Sequence, residues 1–149
     1  MDNNKLKIVS EFNEAFETVV CEIAEIRPES PLAMNLNIIK SIIGEDNTKH
    51  YIDDYNNYKN ARPNTLIIDY FVLYVLEFKD KIDAGDESFF LNNNTFNEKV
   101  NEINKTNFDV IGVIKNEWSE LNNDNRQIVF DFLRYLCNLA LDYFSINNI

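Results

Sequence analysis

Apolar residues in the first part of the chain recur every three or four positions, with acidic residues between them. Over Lys5 to Arg27 this spacing places the apolar side chains on one side of a helix and most glutamates outside it. The predicted buried stripe consists of Val9, Phe12, Phe16, Val19, Val20, Ile23 and Ile26. Pro28 and Pro31 end this helix, because proline cannot continue the helical hydrogen bonding.

A second helix is predicted between Ser30 and Gly44. Ser30 can cap the start of this helix, and Pro31 follows at the first helical position, where proline is tolerated. Gly44 marks the end, because glycine is common just beyond the end of a helix. The apolar face of this helix would consist of Leu32, Leu36, Ile39, Ile42 and Ile43. A third, short helix is predicted before Pro63, where Tyr51, Ile52, Tyr55 and Tyr58 share helical spacing.

Residues 65–82 are apolar on nearly every side of a helix, apart from Asp69, Glu77 and the charged residues at 79–81. This distribution predicts a central helix that neighbours surround. A buried strand near Ile67 to Val75 is the alternative, because β-branched and aromatic residues are frequent there. The length of the apolar run favours the helix.

Turn residues at 83–87 are followed by Phe89, Phe90 and Leu91 and then by three asparagines. This triplet is too short for a helix of its own, so we expect it to insert between helices and anchor the connection. An exposed docking element is the alternative for the same residues.

Three further helices are predicted in the last third of the chain. A short one begins after Thr95, a second runs from about Asn107 to Leu121 and includes Trp118, and the last runs from Asn125 to about Phe144. The predicted face of the last helix is Ile128, Val129, Phe132, Leu136, Leu139, Ala140 and Tyr143. The sequence therefore predicts an all-α protein: one compact bundle of six or seven helices over residues 1–149, with a central apolar helix near 65–82.

One segment of the chain combines several of these features. The acidic pair Asp86 and Glu87 precedes the triplet at 89–91, a helix with Trp118 follows, and the terminal helix carries Tyr135. This order over residues 73–141 resembles a family of small, uncharacterised helical proteins of giant nucleocytoplasmic DNA viruses. The resemblance implies a viral origin and a place in the host cytoplasm or the virion, and it implies no activity.

The sequence contains no phosphate-binding, dinucleotide-binding or zinc-protease motif. His50 is the only histidine, and Cys21 and Cys137 fall within apolar helical patterns, where we expect small, inert, buried side chains. The acidic turn at Asp83 to Glu87 has its glycine in the wrong place for a calcium loop. We therefore expect no metal, no cofactor and no catalytic residues.

Charge and hydropathy narrow the range of partners. A formal net charge of -11 argues against direct binding of nucleic acid, which requires a basic surface. No apolar run is long enough for a membrane span, and the first residues lack the apolar region of a signal peptide. We therefore expect an intracellular protein that is neither secreted nor membrane-spanning.

Two groups of residues are candidates for contact with a partner: Tyr51, Tyr55, Tyr58 and Arg62, and the pair Phe89 and Phe90. The leading hypothesis is a non-enzymatic protein that binds another protein, or a structural component that self-associates as a homo-oligomer. The alternative is an acidic decoy that inhibits a basic, nucleic-acid-handling protein, and its binding would depend strongly on salt. An enzyme without a recognisable motif is the second alternative.

Overall fold

The computed structural model describes residues 3–34, 36–43, 64–88 and 117–147. These residues are 87% helical and include no strand, which confirms the all-α class and excludes a strand near Ile67 to Val75. The helices and turns are α1 (Asn3–Ile26), α2 (Pro31–Met34), α3 (Leu36–Ile43), α4 (Leu66–Tyr70), a π-helical turn (Phe71–Val75), a 3₁₀ turn (Leu76–Phe78), α5 (Lys79–Asp83), a second 3₁₀ turn (Trp118–Glu120) and α6 (Asn123–Asn147).

Helix α1 contacts α2, α3, α4 and α6, and its contact with α6 is the most extensive in the described residues. Its apolar stripe is buried as predicted, from Val9 to Ile23, whereas Ile26 at its end is exposed. The predicted second helix is present as α2 and α3, on the two sides of Asn35. Ser30 caps it as expected, because its Oγ accepts a hydrogen bond from the backbone N–H of Ala33 at 3.1 Å.

Residues 66–83, which we call the irregular helix, run from α4 through the π-helical and 3₁₀ turns into α5. The backbone N–H of Leu76 donates to the carbonyl oxygen of Phe71, five residues earlier, which is the hydrogen bond that defines a π turn. The buried side chains are Ile67, Ile68, Phe71, Val75 and Ile82. Leu66 and Leu73 are exposed, so the prediction that neighbours surround this segment is wrong for the side that carries them.

The predicted turn after the irregular helix is present, and within it Gly85 has a φ of 67°, in the left-handed region. The N–H of Gly85 donates to the carbonyl oxygen of Ile82 at 3.1 Å, and the N–H of Asp86 donates to that of Lys81 at 2.9 Å. These two bonds satisfy carbonyls at the helix end in a Schellman motif. Arg134 of α6 also donates to the carbonyl oxygen of Ile82, at 3.3 Å, and thereby holds the turn against α6.

The described part of the predicted Trp118 helix is the 3₁₀ turn, in which Trp118 is fully buried. Its ring meets that of Phe130 edge to face, with centroids 5.1 Å apart. Arg126 donates from Nε to the Trp118 carbonyl oxygen at 3.1 Å and pairs with Glu87 at 3.2 Å. Arg126 therefore ties this turn and the turn after α5 to α6.

Arg27 connects the end of α1 to the same 3₁₀ turn. Its Nε lies 3.3 Å from Glu117 Oε2, and its Nη1 lies 3.2 Å from Glu29 Oε1 and 3.8 Å from Glu120 Oε2. The side chain of Glu117 is only 6% exposed, compared with 30% for Arg27. The buried carboxylate of Glu117 therefore depends on this cation for compensation of its charge.

Helix α6 begins at Asn123, where Asn122 Oδ1 accepts the backbone N–H of Asn125 at 2.8 Å. Its buried face is Val129, Phe130, Leu133, Leu136, Cys137, Leu139, Ala140 and Tyr143. Ile128 is exposed and Phe132 is half-buried, so the prediction is wrong at these two positions. The face is wider than predicted because α6 packs against both α1 and the irregular helix.

Several predictions concern residues outside the described ranges: the tyrosine helix before Pro63, the triplet at 89–91 and the helices between Thr95 and Asn116. Within the described ranges, none of the helices combines the length and apolar character that crossing a membrane requires.

Candidate interaction surface

The residues that the sequence predicted as partner contacts, Tyr51, Tyr55, Tyr58, Arg62, Phe89 and Phe90, all lie outside the described residues. The structure instead exposes apolar residues that were predicted to lie in the interior. They lie on the outward side of the irregular helix.

Leu66 and Leu73 are 59% and 66% exposed, respectively. They are two helical turns apart and therefore lie on the same side of the irregular helix. Tyr70 and Tyr74 of the same helix are half-buried, with ring centroids 5.2 Å apart. We call these four residues the leucine stripe. Contiguous exposed apolar side chains mark surfaces that bind another protein, and tyrosine is enriched at such surfaces.

Phe71 anchors the opposite side of the same turn. It is fully buried, and its ring meets Phe12 edge to face at 5.0 Å and Phe16 at 6.4 Å between centroids. Edge-to-face pairs stabilise beyond the burial of their area, so they oppose rotation of the helix. Leu73, two residues later, is thereby held toward solvent.

Asn64 positions the first turn of the irregular helix. Its Oδ1 accepts the backbone N–H of Leu66 at 2.8 Å, and its carbonyl oxygen accepts a hydrogen bond from Asn13 Nδ2 at 2.8 Å. Asn13 is fully buried in α1. The hydrogen bond from Asn13 therefore attaches the start of the leucine stripe to α1.

Asp69 provides a second connection, to α6. Its Oδ1 accepts a hydrogen bond from the Tyr143 hydroxyl at 2.8 Å, and Lys5 Nζ lies 4.9 Å from the centroid of the Tyr143 ring. The carboxylate of Asp69 thus has a structural role at the base of the stripe. The π turn follows two residues later, and π-helical turns are frequent at functional sites.

Acidic residues outnumber basic residues in the segment that carries the leucine stripe. The acids of residues 64–88 are Asp69, Glu77, Asp80, Asp83, Asp86 and Glu87, and the basic residues are Lys79 and Lys81. Lys79 Nζ lies 2.6 Å from Asp83 Oδ2, and this hydrogen bond is the main cause of the raised pKa of Lys79. Glu77 and Asp80 are exposed. Asp69, Asp83 and Glu87 are paired with Tyr143, Lys79 and Arg126, respectively, so part of this acidity is compensated within the protein.

A shallow groove lies between α1 and α6, where Ile26 and Ile128 are exposed. It is lined by Val19, Glu22, Ile23, Ile26, Leu121, Asn125, Ile128 and Val129. Its volume is about 20 Å³, which is little more than the space for one water molecule. The groove is thus too small to hold a metabolite.

The described side chains offer little chemistry. Burial raises the pKa of the Cys137 thiol to about 12, and burial is also the main cause of the raised pKa of Cys21. Both thiols therefore stay protonated, and thus poorly nucleophilic, at neutral pH. Cys21 is half-buried, so the prediction of two buried cysteines is correct only for Cys137. No group of three or more potential metal ligands occurs among the described residues.

Comparisons of the chain with protein-family models, curated proteins and solved structures find no match. The resemblance to proteins of giant DNA viruses therefore stays a prediction. The leucine stripe was hidden from sequence reasoning because a helix that is apolar all round contains no signal for the side that is left uncovered. The only available sign was the separation of Leu66 from Leu73 by two helical turns.

Proposed function

We propose that this protein has no catalytic activity and acts by binding another protein through the leucine stripe. The observation that carries the proposal is the exposure of Leu66 and Leu73, at 59% and 66%, on a helix that Phe71 anchors firmly on its other side. Such a surface keeps its shape before binding, and a preorganised surface loses less entropy when a partner docks.

We also propose the wider context that the sequence analysis predicted. In this proposal the whole chain, residues 1–149, forms one bundle of six or seven helices in a viral protein of the host cytoplasm or the virion. Self-association into a homo-oligomer is the variant in which the partner is a second copy. No observation on the described residues favours an enzyme without a recognisable motif.

Site-specific photo-crosslinking tests the proposal directly. A photoreactive phenylalanine analogue replaces Leu73 in one sample and Met34 in a matched control, because Met34 is also exposed, at 77%, but lies on α2. Both proteins are irradiated in lysate of the cells that naturally produce the protein, and each cross-linked partner is identified and purified. We expect an adduct from position 73 that position 34 does not form.

The purified partner is then titrated against the wild-type protein and the double variant Leu66→Ala/Leu73→Ala. We expect the double variant to bind at least about tenfold more weakly, because exposed leucines at the centre of an interface contribute through burial. Absence of an adduct at position 73, or equal binding by the double variant, would refute the proposed function.

The acidic decoy is a second candidate, and the net charge of -11 favours it. In this case the partner would be a basic protein that handles nucleic acid, and this protein would compete with the nucleic acid for it. A competition titration with a labelled oligonucleotide checks this. If the oligonucleotide and this protein bind the partner simultaneously, the decoy hypothesis is wrong and binding through the stripe is unaffected.

A further inference from the structure

We draw no further inference here: the strongest candidate, the outward side of the irregular helix where Leu66 and Leu73 are exposed, belongs to the surface already described, and nothing in the structure shows what covers it.

Discussion

Replacement of Phe71 by alanine should be among the most damaging single changes in the described part of the chain. The side chain is fully buried and its ring lies 5.0 Å from that of Phe12 and 6.4 Å from that of Phe16. Loss of a buried phenylalanine costs about 3–5 kcal/mol, and this range includes the cavity that remains. We therefore expect Phe71→Ala to lower the free energy of unfolding by about 4 kcal/mol.

Urea unfolding followed by circular dichroism measures this loss. With a urea dependence of about 2 kcal/mol per molar, the midpoint should fall by about 2 M. Total stabilities are only about 5–15 kcal/mol, so Phe71→Leu provides a milder variant that retains apolar volume. This variant loses the two ring pairs, each worth about 0.5–1.5 kcal/mol.

Leu73 in the same π turn provides the matched control. It is 66% exposed, and exposed substitutions usually change stability by no more than about 0.5 kcal/mol. Leu73→Ala should therefore unfold at nearly the wild-type urea concentration. A midpoint shift below about 0.5 M for Phe71→Ala, or equal shifts for the alanine variants at 71 and 73, would refute the inward and outward orientations that support the leucine stripe.

Three further predictions concern the ion pair at the end of α1 and the two thiols. Arg27→Met should lower the free energy of unfolding by about 2 kcal/mol, because it leaves the buried Glu117 carboxylate without its cation. Adding Glu117→Gln should recover part of this loss. Urea midpoints that fall equally in the single and double variants would contradict the prediction. A thiol reagent at mildly alkaline pH should label half-buried Cys21 before Cys137, and equal rates would count against the burial of Cys137. The pKa of Cys137 rises from an ordinary value near 9 to about 12, so the unfolded chain loses this thiol proton first and the free energy of unfolding should fall between those pH values. The slope in urea titrations should reach about 1.4 kcal/mol per pH unit.

The contrast between Leu66 and Ile67 shows the limit of sequence reasoning about the candidate surface. Both are large aliphatic residues next to each other in one apolar run, yet one is 59% exposed and the other 3%. Hydrophobicity is the same for both, so only the positions of α1 and α6 determine which one is covered. The candidate surface was therefore not predictable from residue type.

Helix α1 was predicted almost completely from the sequence. Its apolar spacing, the prolines that follow and the serine before Pro31 are local signals, and local signals determine where a helix begins, ends and turns its apolar face. The same reasoning located the turn at Gly85 and the start of α6 to within two residues.

The sequence by itself thus determined the helical class, the ends and the buried stripe of α1, the turn at Gly85 and the start of α6, because hydrophobic periodicity and capping act within a few residues of the chain. Only the tertiary structure decided that α6 buries Phe130 and Leu133 while Ile128 stays exposed, and that Leu73 faces solvent. These outcomes depend on which helices pack together and on the π turn at 71–75, and such packing joins residues that are distant in the sequence. A helix with apolar residues on every side can be packed in several ways, and the neighbours, not the helix, select one.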